Sequence, residues 1–206
     1  METNKYIYIN ENSISRELCE DIINLFEVEE SKYAGKIKAG VNKDVKDTTD
    51  YMINPEDKKW SKIHSFLKKE LNNNLNSYLK KLNGNDCINN RQQLSSEVEY
   101  NYFSVLSLFF YSFMVQKYNK NCGRYIYHND SHIDFSNKSN RIITYLWYLN
   151  DVKEGGQTVI EDNIKIIPRT GKLLLFPACW TYPHCGKIPI SDNKYILTGW
   201  VYMKLE

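Results

Sequence analysis

From Ser13 to Val28 the apolar residues Ile14, Leu18, Ile22, Leu25 and Phe26 recur at intervals of three and four, the repeat of one helix face. Ser13 or Ser15 can accept hydrogen bonds from the first free amides of that helix. A second stripe runs through Trp60, Ile63, Leu67, Leu71, Leu75, Tyr78 and Leu82. It predicts a longer amphipathic helix from about Pro55 to Leu82, with the proline in the first turn and Asn83-Gly84-Asn85 at its end. Between the two stripes, AGKIKAGVNKDVKDTTD is polar and aperiodic and reads as a long loop.

From roughly Glu97 the texture changes. Short β-branched and aromatic runs follow one another, divided by turn residues: SLFFYSFMVQKY, GRYIYHND, RIITYLWYLN, GQTVIED, IKIIP, GKLLLFPA and NKYILTGWVYM. No helical period interrupts them, and many short strands without crossover helices argue for an antiparallel barrel or jelly roll. The expected fold class is α+β, with helices packed outside a β-core.

The length of 206 residues suits one domain, divided here into a helical support with its loop over 1–95 and a β-core over 96–206. A net charge of +2 provides no field for nucleic acid or an anionic membrane. No run of eighteen apolar residues and no leader pattern is present, so the expectation is a cytoplasmic protein without a membrane segment. The five cysteines (Cys19, Cys87, Cys122, Cys179, Cys185) form no C-x-x-C pair, which argues for reduced thiols and against a disulfide framework or a structural zinc site.

Residues i and i+2 of a strand share a face about 6.6 Å apart. His128-Asn129-Asp130 therefore presents an imidazole and a carboxylate side by side, and a histidine from another strand would complete a two-nitrogen, one-oxygen set with open metal positions. His184 is the downstream histidine able to do so. A second H-x-D, His132-Ile133-Asp134, competes for the role, because 128, 130, 132 and 134 would all share one face of an unbroken strand.

The stretch from Tyr118 to Trp200 resembles the catalytic core of prolyl-4-hydroxylase-type Fe(II)/2-oxoglutarate dioxygenases. In that pattern a tyrosine lies ten residues, and a glycine five, before the first iron histidine; Tyr118 and Gly123 stand at those offsets from His128. An arginine-led strand ending in a glycine pair and threonine matches Arg141 to Thr158, and a P-x-x-G matches Pro168 to Gly171. The last signature, a histidine with lysine ten residues on and tryptophan six beyond, falls on His184, Lys194 and Trp200. The offsets favour His128/Asp130 over His132/Asp134, which would leave only seven residues before Arg141.

The resemblance implies a double-stranded β-helix (jelly roll) with N-terminal helices, and a metal triad of His128, Asp130 and His184. Lys194 would anchor the far carboxylate of 2-oxoglutarate, with Thr198 and Trp200 on its face of the strand. Tyr118, Thr144 and Tyr148 would be further cosubstrate contacts. The cofactors implied are Fe(II), 2-oxoglutarate, O2 and ascorbate, and the reaction is hydroxylation of a C–H bond, first of all in peptidyl proline. A peptide or protein substrate is expected, with contacts from Gly35 to Asp50 and from His132 to Ser139. Another amino acid, a small molecule, or an inactive metal-binding jelly roll are the alternatives. Neither nucleic acid nor membrane is expected as partner; the oligomeric state is left open.

Overall fold

The structure, a computed structural model, describes residues 4–83 and 108–205. Among these residues two helices, α1 (Arg16–Val28) and α2 (Ser61–Asn83), accompany sixteen strands. Before α2 lie β1 (Tyr8–Asn10), β2 (Tyr33–Ala34), β3 (Lys36–Ile37), β4 (Gly40–Val41), β5 (Lys46–Asp47) and β6 (Thr49–Met52). After it come β7 (Leu108–Phe109), β8 (Met114–Tyr118), β9 (Arg124–His128), β10 (Ile133–Asp134) and β11 (Ser139–Tyr148). The rest are β12 (Thr158–Ile160), β13 (Ile164–Ile166), β14 (Leu173–Pro177), β15 (His184–Gly186) and β16 (Lys194–Lys204).

All ladders among the described residues are antiparallel. The larger sheet runs β1-β14-β11-β16-β8-β6-β2, with β10 on the edge of β11 and β7 on β16; the smaller runs β13-β12-β15-β9-β5; β3 and β4 form a separate hairpin. Mostly antiparallel sheet with few helices is the α+β class expected.

Alternation along β11 and β16 shows how the core divides. Ile143, Tyr145 and Trp147, with Leu197 and Val201, face the helices and pack with Ile22, Phe26, Trp60, Leu67 and Leu71. Their neighbours Leu146, Tyr148 and Ile196 face the other way, against Ile160, Ile166, Leu174 and Phe176. Trp60, Trp147 and Tyr145 are fully buried. Each large aromatic buried in this way contributes a few kcal/mol of apolar transfer. One face of the sheet thus holds the helices while the opposite face is free to line a cavity.

Ser15 is the N-cap of α1, its Oγ accepting from the Leu18 amide at 3.2 Å. Ser13 instead joins α2 to the sheet, since its Oγ donates to Glu70 at 2.9 Å and accepts from the indole of Trp147 at 3.0 Å. The second helix starts six residues later than the periodicity predicts, because Asn54 to Asp57 fold into a turn. Asn54 accepts from the Glu56 and Asp57 amides, and the Asp57 carbonyl then accepts from Ser61. Pro55 belongs to that turn, not to the helix. The segment read as one long loop holds five short strands, because Ala34 pairs with Thr49 across β2 and β6 and Gly40, at φ +101°, closes a hairpin. The expected onset of the β-texture at Glu97, and Gly84-Asn85 beyond α2, lie outside the described residues.

Candidate metal centre and cosubstrate pocket

β9 and β15 pair so that His128 stands directly opposite His184. The Nδ1 atoms of the two rings lie 2.8 Å from the Ile126 carbonyl and 3.1 Å from the Tyr182 carbonyl. A carbonyl can only accept, so both Nδ1 atoms carry the proton and both Nε2 lone pairs are left for a metal. Asp130 lies two residues past His128, just beyond β9, with Oδ1 3.8 Å from Nε2 of His128 and Oδ2 3.5 Å from Nε2 of His184. The three ligand atoms all lie within 4.8 Å of one another. Two neutral nitrogens and one carboxylate on one side of a point fit a divalent transition metal and leave positions open on the other.

The electrostatics agree with that geometry. Burial, reinforced by the neighbouring His184, lowers His128 to about 4 and keeps its imidazole neutral. Asp130 is buried as well, which alone would raise it. The neighbouring His184 and His128, and a 2.7 Å hydrogen bond from Thr144 Oγ1, outweigh burial and hold the carboxyl below its usual range. The Trp200 indole N–H, buried with no partner at hydrogen-bond distance, also favours the carboxylate. Tyr125 stacks on the His128 ring, centroids 3.5 Å apart, and fixes its plane.

The three residues open on a cavity of about 680 Å³ between the two sheets. At its inner end Lys194 is 1% exposed. Its Nζ donates to the Gly156 carbonyl at 3.0 Å and stands 3.9 Å from the centre of the Tyr118 ring. Among the described residues it has no carboxylate partner. Burial lowers its pKa to about 7. A buried cation without a counter-charge is costly unless a ligand supplies one, so this end of the cavity fits a carboxylate.

Of the residues singled out from the sequence, Tyr118, Thr144, Lys194, Thr198 and Trp200 line the cavity with His128, Asp130 and His184. Thr198 Oγ1 donates to the Tyr145 carbonyl at 2.8 Å. Tyr148 stands outside the lining: its hydroxyl donates at 2.7 Å to Thr158 Oγ1, and Thr158 faces the cavity in its place. In the second H-x-D, Asp134 accepts from the Asn137 amide at 3.0 Å and its Nδ2 at 2.8 Å, closing a turn, while His132 reaches only the rim. The chain leaves strand geometry between His128 and Ile133, so the four residues do not share a face. Sequence reasoning missed Gln116, Lys46 and Asp50, a buried cluster beside the cosubstrate end with Lys46 Nζ 2.7 Å from Asp50. No local pattern marks them, since the strands β5 and β6 that bring in Lys46 and Asp50 are two and four residues long.

Comparison with known proteins agrees with the site. Residues 113–202 match the 2OG-Fe(II) oxygenase superfamily. A prolyl hydroxylase from Trichoplax adhaerens, solved with a hypoxia-inducible-factor peptide fragment, superposes with a TM-score of 0.68 at 22% identity, covering 98% of this chain and 84% of that one. A viral collagen prolyl hydroxylase from Paramecium Bursaria Chlorella virus-1, solved with 2-oxoglutarate, gives 0.61 at 20% identity over 97% of both chains. A Pseudomonas putida prolyl-4-hydroxylase gives 0.61 at 15% identity over 95% and 91%. No curated protein matches the sequence. Fold and site together present two histidines and an aspartate, a group able to hold a metal ion, on the wall of one cavity. Through residues 113–202 the chain is similar to the 2OG-Fe(II) oxygenase superfamily, and the two-histidine, one-aspartate group and the cavity beside it agree with that likeness.

Proposed function

We propose that the chain is a prolyl-4-hydroxylase-type dioxygenase that hydroxylates a proline within a peptide, working as one domain over 1–206 around a double-stranded β-helix core. The observation that carries this reading is one cavity with His128, Asp130 and His184 on its wall and the unpaired Lys194 at its inner end. Three structural neighbours are prolyl hydroxylases, and one of them was solved with a peptide. The proposed Fe(II) ligands are His128 Nε2, His184 Nε2 and one Asp130 oxygen. When bound, the iron with 2-oxoglutarate and O2 supplies oxidative decarboxylation to succinate and CO2, coupled to insertion of oxygen into a substrate C–H bond.

The chain's own residues hold and shield this chemistry. Lys194 neutralises the distal carboxylate of 2-oxoglutarate, and the Tyr118 ring and the Gly156 carbonyl keep its Nζ in place. Leu146 and Ile196 add apolar wall to the cavity and help exclude water from it. Thr144 fixes the rotamer of Asp130, and the carbonyls of Ile126 and Tyr182 fix both imidazoles. Gly186, beside Lys194 and Tyr118, leaves the room at the anchor that a Cβ would take. Ascorbate enters as a reductant that keeps the metal ferrous and needs no site on the chain. No described helix is long and apolar enough to cross a membrane.

The test is conversion of 2-oxoglutarate to succinate by anaerobically purified protein given Fe(II), ascorbate and air, with and without proline-rich peptides. Peptide-stimulated succinate that disappears in His128→Ala and Lys194→Ala is expected. Absence of both succinate and 2-oxoglutarate binding in the parent protein would overturn the assignment.

A further inference from the structure

The rim of the cavity is built differently from its inner end, and Arg141 is its centre. In a regular β11, Arg141 would share a face with Ile143, Tyr145 and Trp147, which pack against the helices. A register shift between Arg141 and Ile143 in the β11–β16 ladder breaks that alternation, and Arg141 lines the cavity instead. Bulges of this kind re-aim a side chain beside a site. The displaced backbone is held on both sides: the Arg141 amide donates to the His132 carbonyl at 3.0 Å, and the Ile142 carbonyl accepts from Ala178 at 3.0 Å.

The side chain is held as well. Its guanidinium carbon lies 3.7 Å from the centre of the Trp200 ring, and Nε donates to the Tyr202 hydroxyl at 3.2 Å. That leaves the two terminal nitrogens without a hydrogen-bond or carboxylate partner among the described residues. An oriented guanidinium with both prongs free is the geometry that receives a carboxylate bidentately. Trp200 joins it to the metal group, since the indole of that residue also influences Asp130.

The charge balance of the cavity points the same way. Among the described residues only two carboxylates line it, Asp50 and Asp130. Asp50 is neutralised by Lys46 at 2.7 Å, with further hydrogen bonds from Thr48 at 2.7 Å and Gln116 at 3.2 Å. Asp130 belongs to the metal group. Lys36 and Lys38, on and beside the β3–β4 hairpin, line the same cavity with no carboxylate partner among the described residues, so they and Arg141 give the mouth a positive excess.

We propose that this rim selects peptides carrying an acidic side chain beside the residue to be oxidised, with Arg141 receiving the carboxylate and Lys36 and Lys38 attracting it. The proposal rests on the peptide-oxygenase reading and adds its substrate class. It makes Arg141 a specificity-determining residue.

The test uses the full chain with Mn(II) and 2-oxoglutarate under anaerobic conditions, and fluorescent short peptides with one proline flanked by aspartates, by serines or by lysines. At low salt the aspartate peptide should bind about tenfold tighter than the serine peptide, a margin that narrows as salt screens the rim. Lys36→Glu/Lys38→Glu, two exposed positions, should erase or reverse the order, and Arg141→Lys should weaken the aspartate peptide although the charge is kept. Equal affinity for the three peptides, or no binding of the aspartate peptide, overturns the proposal. Peptide-independent turnover of 2-oxoglutarate, measured in air with Fe(II), reports on the oxygenase separately. Turnover without acid preference rejects only the rim, and acid preference without turnover rejects only the chemistry.

Discussion

Lys194 Nζ sits 3.9 Å above the ring of Tyr118, deep in the cavity, with a backbone carbonyl as its hydrogen-bond acceptor and no counter-charge among the described residues. Its folded pKa of about 7 lies below the ordinary 10.5. Between those two values the unfolded chain keeps a proton that the folded chain releases, so this group's penalty is full below about 7 and relieved as pH rises toward 10.5. A bound dicarboxylate favours the charged ammonium. Affinity for 2-oxoglutarate should therefore weaken as pH rises past 7, while the ligand-free protein melts higher. Lys194→Met should remove both slopes, measured by calorimetric titration and thermal melts across that range.

Metal affinity should depend on all three ligands. Alanine at His128, Asp130 or His184 is expected to weaken Mn(II) binding by about two orders of magnitude or more. Because ligand binding raises apparent stability by mass action, the parent protein's melting temperature should climb with added Mn(II), and the variants' should stay flat. A metal-dependent shift that survives in His184→Ala would place the ion elsewhere.

Thr144→Val keeps the shape of a side chain that is 3% exposed and deletes the 2.7 Å hydrogen bond to Asp130. Loss of such an orienting partner typically costs roughly 10–100-fold in metal affinity. The fold should be retained, so far-ultraviolet dichroism should match the parent while Mn(II) titration shows the deficit. Equal affinity would mean that packing alone orients Asp130.

Stability away from the site should be sensitive at Ser13, whose hydroxyl serves Glu70, Asn74 and Trp147 together. Ser13→Ala strands the indole N–H of a fully buried tryptophan, which costs about 1–3 kcal/mol. Urea unfolding should show this loss without any change in Mn(II) affinity.

The buried pair Lys46–Asp50 should behave asymmetrically. Asp50→Ala leaves Lys46 buried without its charge partner and should cost about 3–5 kcal/mol. The double replacement Lys46→Met/Asp50→Leu should unfold much closer to the parent in urea, because no lone charge remains.

Much of this protein is decided by local rules. Period-3.6 stripes announce both helices and their buried faces, down to Trp60, Leu67, Leu71 and Tyr78. Period-2 alternation places Lys194, Ile196, Thr198 and Trp200 together on the cavity face of β16. H-x-D spacing with a distant histidine supplies the donor set. What the chain pattern does not contain is anything made by a partner strand. Asn54 to Asp57 take the first turn expected of α2 because Asn54 competes for the backbone amides. Among the short strands between Tyr33 and Met52, β5 and β6 form against the edges that β9 and β8 offer. The hydroxyl of Tyr148 is taken by Thr158, which β12 brings up from the other sheet, and Arg141 faces the cavity instead of the helices because the β11–β16 ladder slips beside it. A single sequence records which side chains alternate. Where a ladder slips by one residue, or which buried cation lacks a counter-ion, is decided only when distant strands meet.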